Sequence, residues 1–259
     1  MSIDTQPSGG KGAKSRKPLF IAAGVIVLLA LVGGALLVWY LNQPVPEEVS
    51  IEGAVEDVAT TEPGAPAEPA SALDGLDGPW SVDTSIGEFN FEDATSSFVG
   101  FRIEEELASV GAATAVGRTP VVGGSFVMSG ATVTETVIEA DMTGIVTNAS
   151  RRDQAVQRAL DTGTFPTATF TLASPIDLGA IPEEGEPVST TAVGELTIKD
   201  VTQPIEILLE AQRVGDLIVV VGSVDITFED WGIEVPTAPV VASVEDHGIL
   251  ELQLFFARS

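Results

Sequence analysis

The chain has 259 residues, no cysteine and one histidine, and its 12 basic and 38 acidic residues leave a formal charge of −26. Without cysteine there are no disulfides, thiolate zinc sites, iron–sulfur clusters or thiol nucleophiles. An acidic excess of this size repels phosphate backbones, which argues against nucleic-acid binding.

The charge is unevenly spread. Residues 1–18 form a basic tail in which Lys11, Lys14, Arg16 and Lys17 face a single acidic residue, Asp4. Residues 19–41 then run LFIAAGVIVLLALVGGALLVWYL, 23 residues without a charge, and account for much of the positive mean hydropathy of +0.30. A helix of that length spans a hydrocarbon core of about 30 Å. Trp39 and Tyr40 stand at its outer end, where amphipathic rings favour the headgroup layer. Basic residues before the segment and Glu47 and Glu48 after it predict a single-pass anchor with a cytoplasmic N-terminus and an extracytoplasmic C-terminal domain. A cleaved signal peptide is the competing reading, but its apolar region would be shorter and would end in a small-residue cleavage site.

Residues 42–78 are rich in Pro, Glu, Ala and Thr, with Pro44, Pro46, Pro63, Pro66 and Pro69. Such a composition predicts a disordered, acidic tether.

From residue 79 to 259 short runs alternate apolar and polar residues. Phe101 lies in the first, Phe126 and Met128 in the second, Ile138 in the third and Phe170 in the fourth. Leu196 follows, then Ile226 and Phe228, and finally Leu252 and Leu254. Period-two alternation over roughly eight runs predicts an all-β domain of antiparallel strands with one buried face, a barrel or a sandwich. These ten residues are the candidate interior. One segment, residues 151–160, reads as a short helix, with Asn148 and Ser150 as possible N-caps and Gly163 just past its end.

Few residues suggest chemistry. His247 stands beside Glu245 and Asp246, a pairing that could serve as a general base, but adjacent residues of a strand point to opposite faces, and an exposed strand-end histidine is the favoured reading. No G-x-S-x-G elbow, glycine-rich phosphate loop or calcium loop occurs, so neither a cofactor nor a metal is expected. Glu104-Glu105-Glu106 and Glu183-Glu184 read as solvated acidic surface.

Several strings in combination resemble the YceI-like family. They are Arg151-Arg152-Asp153, Thr164-Phe165-Pro166 with the strand after it, Gly194-Glu195-Leu196-Thr197-Ile198-Lys199-Asp200-Val201-Thr202-Gln203-Pro204, and Asp230-Trp231-Gly232-Ile233. Asp200 and Gln203 depart from the family's frequent Gly and Lys. The resemblance implies an eight-stranded, lipocalin-like antiparallel barrel with a polyisoprenoid in its interior. The expected function is therefore non-enzymatic sequestration or carriage of a polyisoprenoid or similar amphiphile. The alternatives are an envelope interaction or stress-related domain with a filled barrel and, less favoured, a hydrolase built on His247.

Overall fold

A computed structural model describes residues 45–61, 76–108, 111–235 and 241–259. The basic tail and the expected membrane helix at 19–41 lie outside those residues. Among the described residues no helix is long and apolar enough to cross a membrane.

The strands in chain order are β1 (Gly78–Val82), β2 (Phe98–Leu107), β3 (Gly111–Thr119), β4 (Val122–Ser129), β5 (Thr132–Asp141), β6 (Val146–Thr147), β7 (Thr167–Leu172), β8 (Ile176–Asp177), β9 (Val188–Ile198), β10 (Val201–Val214), β11 (Leu217–Thr227), β12 (Val241–Val244) and β13 (His247–Arg258). Helix α1 spans Ile51–Thr61 and α2 spans Ser150–Ala159. The order β1-β4-β5-β7-β9-β10-β11-β13 closes on itself through the β1–β13 pairing, an eight-stranded antiparallel barrel. Strands β1 and β2 share one edge of β13 in turn: Trp80 pairs with Arg258, and farther along Phe101 pairs with Leu250. Only Pro120 and Val121 separate β3 from β4. Closure leaves the ring without a free edge, the hazard that open sheets must cover.

The β9–β10 hairpin turns on Lys199 and Asp200, both left-handed at φ 52° and 62°. Two positive φ values are what a two-residue turn requires, and Asp tolerates them at modest cost where Gly would have none. The turn is then pinned sideways: Lys199 Nζ donates to Gly232 O (2.6 Å) and Gln203 Nε2 to Asp230 O (2.9 Å).

Three expectations need correction. Strand β11 ends at Thr227, and Phe228 begins a 3-10 turn, Phe228–Trp231, whose Trp231 Nε1 donates to Leu196 O (3.2 Å). Helix α2 is not capped by Asn148 or Ser150. Its N-cap is Ala149, which has no capping side chain; Asp153 Oδ1 instead reaches back to accept from Thr147 N and Thr147 Oγ1, both 2.7 Å. At the other end the chain leaves the helix through Asp161, at φ 47°, before Gly163 is reached.

The third correction is larger. Residues 45–61, expected as part of a disordered tether, form a strap along the outside of the barrel. Ile51, Ala54 and Val58 repeat at helical spacing and are buried against Val219, Val221 and Phe255 on the outer faces of β11 and β13. Ser50 starts the helix, accepting from Gly53 N through its Oγ (3.1 Å). Ahead of α1 the strap is held by buried charge. Glu251 on β13 accepts from Arg102 Nε (2.8 Å) and Arg118 Nε (3.1 Å), and the same two guanidiniums donate to Pro46 O (2.7 Å) and Glu47 O (2.8 Å). The register explains the reach: Gly100 lies between Arg118 and Glu251, and a Cβ on it would stand 3.0 Å from Arg118 Cγ. The missing side chain leaves Arg118 room to cross. Burial pulls the Arg118 pKa below its ordinary value, with Glu251 opposing that pull.

Candidate functional site

Along β13, Leu250, Leu252 and Leu254 face the barrel interior while Glu251, Gln253 and Phe255 face the strap. Three aromatic rings cluster in the interior: Phe126 stacks on Trp80 (6.3 Å between centroids) and meets Phe256 edge-on (4.9 Å). Trp80 is fully buried, and its Nε1 donates to Leu76 O (3.0 Å).

Beyond this cluster the rings do not meet across the middle. Two adjoining cavities remain, of about 160 Å³ and about 120 Å³, and Phe170, Ala192, Leu209 and Val220 line both. Their walls are almost wholly apolar. Two features keep the space open. Ala140, Ala168 and Ala192 project little from the wall of the first cavity. The large rings meanwhile lie against glycines: a Cβ on Gly117 would stand 2.5 Å from the Phe101 ring, and one on Gly194 2.5 Å from the Phe170 ring. A cavity of about 150 Å³ lined by Leu, Ile and Phe stays dry and admits a benzene-sized apolar guest. Two such spaces end to end suit an elongated hydrocarbon.

Six of the ten candidate residues, Phe101, Ile138, Phe170, Leu196, Leu252 and Leu254, line the first cavity. Phe126 and Met128 line the second, which Phe170 also borders. Ile226 and Phe228 do not border either space; they are buried in the core beside Trp231. The ten candidates include no alanine, because the choice among inward-facing residues weighed apolar bulk, whereas an open lumen depends on where bulk is withheld. The candidates also omit Thr136, whose Oγ1 is buried without a hydrogen-bond partner on the wall of the second cavity. A bulge marked by Glu135, at φ 51°, breaks the alternation there.

His247 is away from this space. It opens β13 opposite Thr227, half exposed, with Nε2 2.8 Å from Glu245 Oε2 and Nδ1 3.1 Å from Asp246 Oδ1. The Asp246 hydrogen bond, then the charge of Glu245, raises its pKa above 6.5. Of the acidic clusters, Glu104 accepts from Thr114 Oγ1 (2.7 Å) and Glu105 pairs with Arg152. Among the described residues no group of three or more His, Asp or Glu side chains is placed to hold a metal.

The closed barrel, the Lys199-Asp200 hairpin and the Asp230–Gly232 turn packed beside it bring together the strings that carried the resemblance. A family model described as the YceI-like domain matches residues 92–256. The chain belongs to the YceI-like family. The fold is shared with a polyisoprenoid binding domain from Saccharophagus degradans implicated in plant cell wall breakdown, at 20% identity and a TM-score of 0.53, over 70% of this chain and 98% of that one. BcnA of Burkholderia cenocepacia aligns at 15% identity and a TM-score of 0.42, over 61% of this chain and 95% of that one. A YCEI protein of Campylobacter jejuni aligns at 18% and 0.45, over 55% and 84%. No sequence among curated proteins is similar enough to match. The match to the YceI-like domain begins at residue 92, so the strap at 45–61 and β1 precede it.

Proposed function

We propose that this YceI-like barrel binds a long apolar amphiphile, a polyisoprenoid or a lipid of similar shape, with its chain in the two adjoining cavities. The observation that carries the reading is an interior left open and apolar, with phenylalanine rings laid on glycines instead of packed across the axis. The polyisoprenoid-binding role of the Saccharophagus degradans domain agrees with it. Each CH₂ moved out of water contributes about 0.8 kcal/mol, but a lipid taken from a bilayer has already gained this. Net uptake therefore depends on close contact with the cavity wall and on the domain being held beside the membrane. The apolar run at 19–41 supplies that attachment in the proposal, with the barrel on the extracytoplasmic side. The activity is non-covalent carriage or sequestration.

The test is organic extraction of the full chain purified from its native host, followed by mass spectrometry. A long-chain lipid at near-stoichiometric yield is expected. An empty extract from protein that also takes up no added isoprenoid would leave an interaction domain as the better reading.

A further inference from the structure

We propose that Arg213 and the acidic loop beside it read the headgroup of the bound amphiphile, favouring an uncharged, oxygen-bearing head over an anionic one. This rests on the lipid-binding reading above and adds the chemical class of the ligand's polar end.

Arg213 is the penultimate residue of β10 and lines the second cavity together with Gln212, Pro182 and the exposed Glu186. Here the apolar space meets solvent. The segment between β8 and β9 is fastened to this place: Gly185 N donates to Arg213 O (3.0 Å), and Glu184 Oε1 accepts from Gly215 N (3.3 Å) in the β10–β11 turn. The cavity mouth therefore has a fixed rim.

That rim holds one cation with spare donors. A guanidinium has five N–H donors. In Arg213 the Nε–H is given to Gly215 O (3.2 Å), and among the described residues its guanidinium forms no ion pair. Arg102, Arg118 and Arg152, by contrast, are each matched to a carboxylate. The interior offers a polar head almost nothing, so burying a head there would leave it without partners. We therefore place the head at the mouth, beside Arg213.

The surroundings decide its charge. Glu183, Glu184, Glu186 and Asp216 are all exposed on the loop and the adjoining turn, against the single Arg213. A phosphate or carboxylate would gain the guanidinium and meet four like charges. An alcohol, carbonyl or ether oxygen accepts the same hydrogen bonds without that repulsion.

The experiment compares three probes of one chain length on the full chain in detergent micelles: geranylgeraniol, geranylgeranyl monophosphate and the hydrocarbon phytane. At low salt the alcohol should bind about tenfold more tightly than the monophosphate. Arg213→Met keeps the apolar stem and removes the donors. It should weaken the alcohol by about tenfold and leave phytane unchanged, and Arg213→Lys should fall between. Replacing Glu183, Glu184 and Glu186 together by Gln should bring the monophosphate up to the alcohol. Tighter binding of the monophosphate by the unaltered chain, or equal loss of alcohol and phytane in R213M, overturns the headgroup assignment while leaving the lumen reading in place. Failure of phytane itself to bind overturns the lumen reading, and the headgroup assignment with it.

Discussion

Phe101 on β2 and Gly117 on β3 are register partners, and a Cβ on Gly117 would stand 2.5 Å from the Phe101 ring. The other nearest atom is Ile145 Cγ2 at 3.2 Å, so the added methyl meets only side-chain ends. Gly117→Ala should therefore swing the ring off the wall into the larger cavity and leave the strand pairing intact. The expected result is a folded protein, destabilised by no more than about 1–3 kcal/mol, that retains much less lipid. Thermal unfolding with quantitative lipid extraction checks both halves; full lipid retention would mean the ring has another place to go.

Glu251 bridges two guanidiniums at once, and all three side chains are buried beneath the strap. Removing one member of a buried charge group costs about 3–5 kcal/mol, because the remaining charge stays desolvated. Glu251→Ala leaves Arg102 and Arg118 with no carboxylate between them, so it should lose stability on that scale in denaturant titration. Its residues 45–61 should become an early site of limited proteolysis. A loss below about 1 kcal/mol would mean that water reaches the pair freely, as in surface ion pairs.

Asp57 lies on the half-buried side of α1, and burial raises its carboxyl pKa above 3.8, although Gln253 Nε2 donates to it (3.2 Å). The folded form thus holds the proton more readily than the unfolded one, and the charged carboxylate is a cost at neutral pH. That cost disappears as pH falls through the raised value toward 3.8. Asp57→Asn should be more stable than the wild type at neutral pH, with the margin closing in acid. Urea unfolding of both proteins across a pH series measures it, and a margin that widened in acid would reverse the sign argued here.

How much of this was readable beforehand differs by region. The alternation of Leu250, Leu252 and Leu254 is visible because strand period and burial coincide, and the same holds for Phe101 and Phe170. The strap was readable in principle. Ile51, Ala54, Val55 and Val58 form a helical stripe, but only four apolar residues stand among prolines and acids, and composition hid the period. Its second support could not be read at all, since Glu251 lies about 150 residues from Arg102 in sequence. Phe228 was misplaced because an alternating string continues past the point where the backbone turns. The cavity itself depends on Gly117, Gly194 and Ala192, and no single-residue signal marks an absence of bulk.

His247 is the one histidine of the chain, so its ring signals in a proton NMR titration need no assignment. The Asp246 hydrogen bond and the Glu245 charge place its midpoint above 6.5, and Asp246→Asn should lower it. A raised folded pKa contributes stability that is present below 6.5 and is lost as pH rises through the folded value. With the ring half exposed, a midpoint at or below 6.5 would show that solvent and salt screen both carboxylates.

Ala192 tests whether the two cavities act as one. It is 2% exposed, and its side of β9 borders both spaces together with Phe170, Leu209 and Val220. A ring at this position would stand where the chain of a long ligand passes from one space to the other. Ala192→Phe should cost about 1–3 kcal/mol in overpacking, small beside the loss of a whole core contact. The lipid recovered from the variant should shift to shorter chains instead of vanishing, because each cavity still takes an apolar guest on its own. Mass spectra of extracts from the two proteins, grown and purified in parallel, give the chain-length distribution directly. An unchanged distribution at unchanged yield would mean that the bound chain stays on one side of Ala192, and the second cavity would then be a packing defect and no part of the site.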